Sequence, residues 1–82
     1  MIYEKKKNNF FNLYPNPATG IVTISGNFNW TKIIVTDITG RVIEELNPYE
    51  QNLDVSAYNN GIYLVTCSGN QGCITQRITV QH

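Results

Sequence analysis

The side chains able to carry chemistry are few. The one histidine is His82, the last residue. Chain ends are usually frayed, so no histidine-centred base or metal site is expected. Cys67 and Cys73 lie six apart with no second Cys or His pair, which excludes the usual zinc spacings. No P-loop, G-x-S-x-G, H-E-x-x-H or G-x-G-x-x-G occurs. On this inventory the chain is not read as an enzyme, and no catalytic residue, metal or cofactor is assigned. The chemistry left to the cysteines is a disulfide. A final hairpin centred on Asn70 would set Cys67 directly across from Cys73, and Ile62 across from Ile78. Opposed residues at a non-hydrogen-bonded pair have Cα atoms about 4.5 Å apart, within disulfide reach. The competing reading is two small apolar side chains in a core. A bridge would imply an oxidising, secreted setting.

Charge narrows the partners. The 82 residues carry six basic and six acidic side chains, a formal net charge of zero. Nucleic-acid binding needs a cationic field that releases phosphate counterions, and docking on anionic lipid needs the same sign, so neither is expected. The Lys5–Lys7 run has nothing basic behind it and reads as a solvated linker. No stretch approaches the roughly 20 apolar residues of a membrane helix. Met1–Lys7 lacks the apolar core of a signal peptide, which suits a cytoplasmic chain or a piece of a longer secreted one.

The elements that must hold these residues are strands. Helical periodicity is absent, β-branched and aromatic residues dominate, and Gly, Asn and Pro recur every eight to twelve residues. That pattern predicts an all-β fold of one domain, a sandwich or barrel. Residues 1–11 read as a polar linker and 12–82 as the folded part. Phe11–Tyr14 is a short first strand that stops at Pro15-Asn16-Pro17, where two prolines suit a sheet edge. Ile21–Ser25 follows. Trp30–Asp37 and Arg41–Leu46 flank a turn with Asp37 first and Gly40 fourth, the type I pattern with a left-handed glycine. That loop places Asp37 opposite Arg41, Val35 opposite Ile43 and Ile33 opposite Glu45. Gln51–Val55, Ile62–Cys67 and Cys73–Val80 complete seven strands, with a tight corner over 56–61 at Asn60-Gly61. Tyr63 is expected in the core.

Four motifs then stand in series: Leu13-Tyr14-Pro15-Asn16-Pro17-Ala18, Asp37-Ile38-Thr39-Gly40-Arg41-Val42, Leu53-Asp54-Val55-Ser56 and Asn60-Gly61-Ile62-Tyr63-Leu64-Val65. In this order and spacing, over about residues 12–81, they resemble the type A C-terminal sorting domain of the type IX secretion system of Bacteroidetes. The resemblance implies an immunoglobulin-like β-sandwich of about seven antiparallel strands and a signal that takes an upstream cargo across the outer membrane. It implies transit through the periplasm, delivery to the cell surface or medium, and partners in the translocon, outer-membrane shuttle proteins and a surface sortase that removes the domain. A covalently attached cargo domain lies upstream, and a monomer is expected. Matched residues are Tyr14, Pro15, Asn16 and Pro17 in the first motif, Asp37 and Gly40 in the hairpin, and Gly61 and Tyr63 after the corner. Lysines usual in the family's last strand and end are replaced by Gln76-Arg77 and Gln81-His82.

A signal on so small a sandwich must be a surface. The last strand has few charges to blunt it as an edge, so Arg77, Ile78 and Val80 join the candidate contact residues. Sortase cleavage is expected within Tyr3–Asn12. The alternative function is a carbohydrate-binding or adhesive module built on Trp30, Tyr49 and Tyr58, for which a flat row of exposed aromatics would speak. A plain spacer module is the third reading.

Overall fold

The computed structural model describes residues 11–26, 30–70 and 72–82. These form seven strands: β1 (Phe11–Tyr14), β2 (Ile21–Gly26), β3 (Trp30–Asp37), β4 (Val42–Leu46), β5 (Asn52–Asp54), β6 (Gly61–Gly69) and β7 (Gly72–Val80). They pair antiparallel into a three-stranded sheet, β1-β2-β5, and a four-stranded sheet, β4-β3-β6-β7. The fold is the expected immunoglobulin-like sandwich, and no helix occurs among the described residues.

Period-two alternation builds its interior. Val22 and Ile24 come from β2, Ile33 and Val35 from β3, Leu53 from β5, Tyr63, Val65 and Cys67 from β6, and Ile78 and Val80 from β7. Val55 joins them just past β5, and among the described residues every buried side chain is apolar. Phe11 is fully buried and meets Trp30 edge-on, with ring centroids 5.9 Å apart. Phe11 is thus part of the packed body.

The β3–β4 hairpin closes as its turn residues require. Gly40 N–H donates to the Asp37 carbonyl (3.0 Å), and Asp37 N–H donates to the Arg41 carbonyl (3.0 Å). Gly40 takes φ +91°, a conformation that glycine enters without a Cβ penalty. The Asp37 carboxylate accepts from the Thr39 hydroxyl (2.6 Å), the Thr39 N–H (2.9 Å) and the Arg41 N–H (3.1 Å), and it meets Arg41 Nε at 3.3 Å. The Thr39 hydroxyl, more than the guanidinium, holds this carboxyl below its usual range.

Beyond the turn the expected register fails. A bulge lies between Val35 and Thr36, so Thr36 pairs with Val42, Val35 with Glu44 and Ile33 with Leu46. An unbroken ladder would put Glu45 opposite the buried Ile33. Inserting Ile43 as an extra residue brings both Ile43 and Leu46 against the core, which no regular alternation could do.

The β6–β7 hairpin is straight but offset by one residue from expectation. Cys67 pairs with Ile74, Ser68 with Cys73, and Tyr63 with Ile78. Cys67 is buried, Cys73 is exposed, and both are free thiols, so the Cys67–Cys73 disulfide is not formed. The cause is that β6 is apolar on both faces. The register that buries Tyr63, Val65 and Cys67 against Ile74, Ile78 and Val80 is the one adopted, and it leaves Ile62 39% exposed. Burial pushes the Cys67 thiol up to about 12.

The corner from β5 into β6 is tied by its own side chains. The Ser56 N–H donates to Asp54 (2.9 Å), Gly61 turns with φ +151°, and the Tyr63 hydroxyl donates back to the Asn59 carbonyl (2.8 Å). A tyrosine near the start of the strand after this corner, bonded a few residues upstream, is the tyrosine corner of immunoglobulin-like sandwiches. Its ring lies 4.9 Å from that of Tyr58.

Candidate functional site

No group of three or more metal-ligating side chains converges among the described residues, and the body offers faces, edges and an open concavity lined by Trp30, Tyr49 and Gln51. Edges are the more specific feature, since they present unpaired backbone groups at fixed spacing. The outer strands of the two sheets are β1, β5, β4 and β7. Three are blunted. β1 has four residues and runs into Pro15-Asn16-Pro17, β5 has three residues, and β4 has five, with Glu44 and Glu45 exposed and a bulge opposite. β7 is different: nine residues with no proline or acid, and Arg77 as its one charge.

The structure divides the outer edge of β7 in two. After Tyr14 the chain leaves the first sheet, crosses through Pro15-Asn16-Pro17, and lies along β7 as a strap. The Asn16 amide spans two backbone groups of that edge, accepting from the Thr79 N–H (3.0 Å) and donating to the Arg77 carbonyl (3.3 Å). One residue on, Ala18 N–H donates to the Thr79 carbonyl (2.8 Å) and the Ala18 carbonyl accepts from the Gln81 N–H (2.8 Å), a single parallel bridge beside Val80. Ala18 is buried there. Proline at 15 and 17 withholds no donor that the strap uses.

Among the described residues no backbone bond covers the other half of the edge. Thr79 sends both its backbone groups outward to the strap, so by antiparallel alternation Thr75 and Cys73 also direct theirs outward, and Ile74, Gln76 and Ile78 bond to β6. The Thr66 and Thr75 hydroxyls meet at 2.9 Å, as expected of a non-hydrogen-bonded pair. Only Gln76 reaches across, its side chain donating to the Phe11 carbonyl (3.2 Å). Cys73 and Thr75 are exposed.

The chain end is held, contrary to the frayed terminus expected. His82 N–H donates to Asn60 Oδ1 (2.9 Å), while its ring meets the Tyr58 carbonyl (2.8 Å) and the Thr19 hydroxyl (3.1 Å). The last strand, the strap and the corner before β6 thus meet at one place. Asn16, Ala18, Thr19 and His82 act together here, and of these only Asn16 was a candidate. Its type is the available signal: an Asn between two prolines has a side-chain donor and acceptor and little helical or strand use.

The remaining candidates fall apart spatially. Asp37 and Gly40 sit at the β3–β4 turn, and Gly61 and Tyr63 form the corner. Ile78 and Val80 are buried in the core, leaving Arg77 exposed on β7. The aromatics do not line up for a sugar. Trp30 packs on Phe11, and Tyr58 is half-buried with its hydroxyl donated to Glu44 (2.6 Å), burial and then Glu44 raising its pKa. Tyr49 stands 87% exposed in the β4–β5 connection and shares an open concavity with the partly buried Trp30; among the described residues the other exposed aromatic is Tyr14, on β1.

A family model described as the secretion system C-terminal sorting domain matches residues 12–81. The chain belongs to this family. No curated protein and no solved structure matches. The sorting domain is a C-terminal signal for type IX secretion, and its family is one of signals and not of enzymes. Export to the cell surface or the medium follows from that role. The match spans the strap, both hairpins and the corner, so the family's sequence pattern covers the whole packed body except Phe11 and His82.

Proposed function

We propose that the sorting domain is read in the periplasm as a folded surface by outer-membrane shuttle proteins and the translocon, and is removed by a surface sortase. The observation that carries this is the family match over residues 12–81. The upstream cargo is covalently attached, the domain travels as a monomer, and Tyr14–Pro17, Asp37, Gly40, Gly61, Tyr63 and Arg77 shape the surface that is read. Ile78 and Val80 serve it from inside, by packing. Cleavage falls ahead of Phe11, because Phe11 and Asn12 are paired with Gly26 and Ser25 of β2. The linker positions of the expected site, residues 3–10, lie outside the described residues.

The test is a periplasmic reporter fused ahead of residues 1–82 in a host that has this system. Reporter outside the cell is the expected result; a folded fusion kept in the periplasm would overturn the reading. Deleting Ile78–His82 is a poor substitute. It removes two buried side chains worth about 1.5–3 kcal/mol each from a domain whose whole stability is on the order of 5–15 kcal/mol.

A further inference from the structure

The half-covered edge of β7 makes the signal more specific than a surface. We propose that Cys73–Gln76 is the docking register of the domain: a partner's extended, uncharged segment adds there as a strand, ending where Asn16 takes over the edge. The inference rests on the sorting reading and names the atoms through which it acts.

Four observations carry it. First, the outward N–H and C=O groups of Cys73 and Thr75 are spaced as a strand ladder, and a second backbone is the chemistry that satisfies such a row. Second, these groups have no protein partner among the described residues, whereas the next ones along, at Arg77 and Thr79, are met by Asn16 and Ala18. The strap protects the part of the edge that would otherwise invite pairing and stops short of this part. Third, Gly72–Gln76 has no charge, no proline and no bulge against β6, while β4 carries two acids and a bulge, β5 is three residues long and ends on Asp54, and β1 is four residues long and runs into Pro15. An edge left plain beside three that are blunted is one where pairing is tolerated. Fourth, the adjoining side chains favour a partner without strong charge: Ile74 packs against the core, and Thr75, Gln76 and Cys73 are uncharged. A second copy fits poorly, because two-fold pairing of β7 with itself would bring two straps together after a few residues.

Proline offers a clean probe, because Thr75 directs its N–H away from β6. Thr75→Pro removes one outward donor and places a ring on the edge, while the β6–β7 ladder keeps its bonds. Thr75→Val is the matched control with the N–H retained. Cys73→Glu with Thr75→Glu leaves every backbone group in place and charges the edge, and Ile21→Glu with Tyr49→Glu adds the same charge at exposed sites away from β7 and from the four motifs. All are compared as reporter fusions, with melting midpoints of the purified domains as the folding check. Export should fall about tenfold or more for T75P, which loses one donor and blocks the incoming strand with a ring, and for C73E/T75E, which sets two carboxylates against an uncharged segment. It should stay within about twofold for T75V and I21E/Y49E.

Folded T75P and C73E/T75E domains that export like the unmodified one would overturn the inference and leave the sorting reading standing. Should T75P not fold, C73E/T75E decides alone. An unmodified fusion that is not exported overturns the sorting reading and this inference with it. A domain that is dimeric by light scattering, and monomeric as C73E/T75E, would assign the edge to a second copy and overturn the proposed partner.

Discussion

The two halves of β7 are chemically alike and physically opposite. Both belong to one strand, pair with β6 in one unbroken register and turn alternate residues outward. From Arg77 onward the outer edge is covered by a strap, the inner side chains Ile78 and Val80 are fully buried, and the chain end is pinned through His82. From Gly72 to Gln76 the outward backbone groups have no partner among the described residues, and the inward side chain Ile74 is only partly covered. One strand thus divides into a stretch that holds the sandwich together and a stretch free to be read. Edge protection in this fold is local, applied residue by residue, and a single asparagine is enough to end the open part.

The largest expected contrast is in packing. Ile78→Ala should destabilise by about 2–5 kcal/mol, the range for emptying a buried aliphatic site. Ile74→Ala, at a half-covered position, should cost well under half of that. Denaturant titrations of the two variants measure the difference, and equal losses would break the division of β7.

The next effect is the asparagine's. Asn16→Ala removes both side-chain bonds to the edge and should lower stability by about 1–3 kcal/mol, at roughly 0.5–1.5 kcal/mol per bond. Amide hydrogen exchange reads the same change locally. The Thr79 N–H should be protected in the unmodified domain and exchange faster in Asn16→Ala, while the outward Thr75 and Cys73 amides exchange fast in both. A slow Thr75 amide would mean that the bare stretch is covered after all.

The smallest effect leaves stability unchanged. In the native domain a maleimide should modify Cys73 alone, since the Cys67 thiol is buried and pushed up to about 12. Mild oxidant should leave both free of a mutual bridge. A Cys67–Cys73 disulfide found by peptide mapping would shift the β6–β7 register by one residue and turn the faces of β7 over.

How much of this was legible depends on what each feature rests upon. All seven strands lie where β-branched runs and turn residues put them, because alternation and Gly, Pro and Asn punctuation are local properties. The Asp37–Gly40 turn and its Arg41 partner are likewise local and came out as read. The registers did not. β6 has apolar residues on both faces, so alternation allowed two ways of burying it, and only the packing against Ile78 and Ile74 chose between them. In β4, Ile43 and Leu46 differ in parity, so both reach the core only through a bulge that no residue type announces.

By itself the amino-acid order determined the strand positions, the turn chemistry, the balanced net charge, and the motif series that marks a secretion signal. The tertiary structure alone decided which face of β6 is inside, that the cysteines stay apart, and that the strap covers β7 from Arg77 onward. The physical reason is distance along the chain: Asn16 and the Arg77 carbonyl it caps are 61 residues apart. Nothing local to either residue encodes that meeting. It exists once two sheets close on a shared core and bring an edge and a connecting segment to the same place.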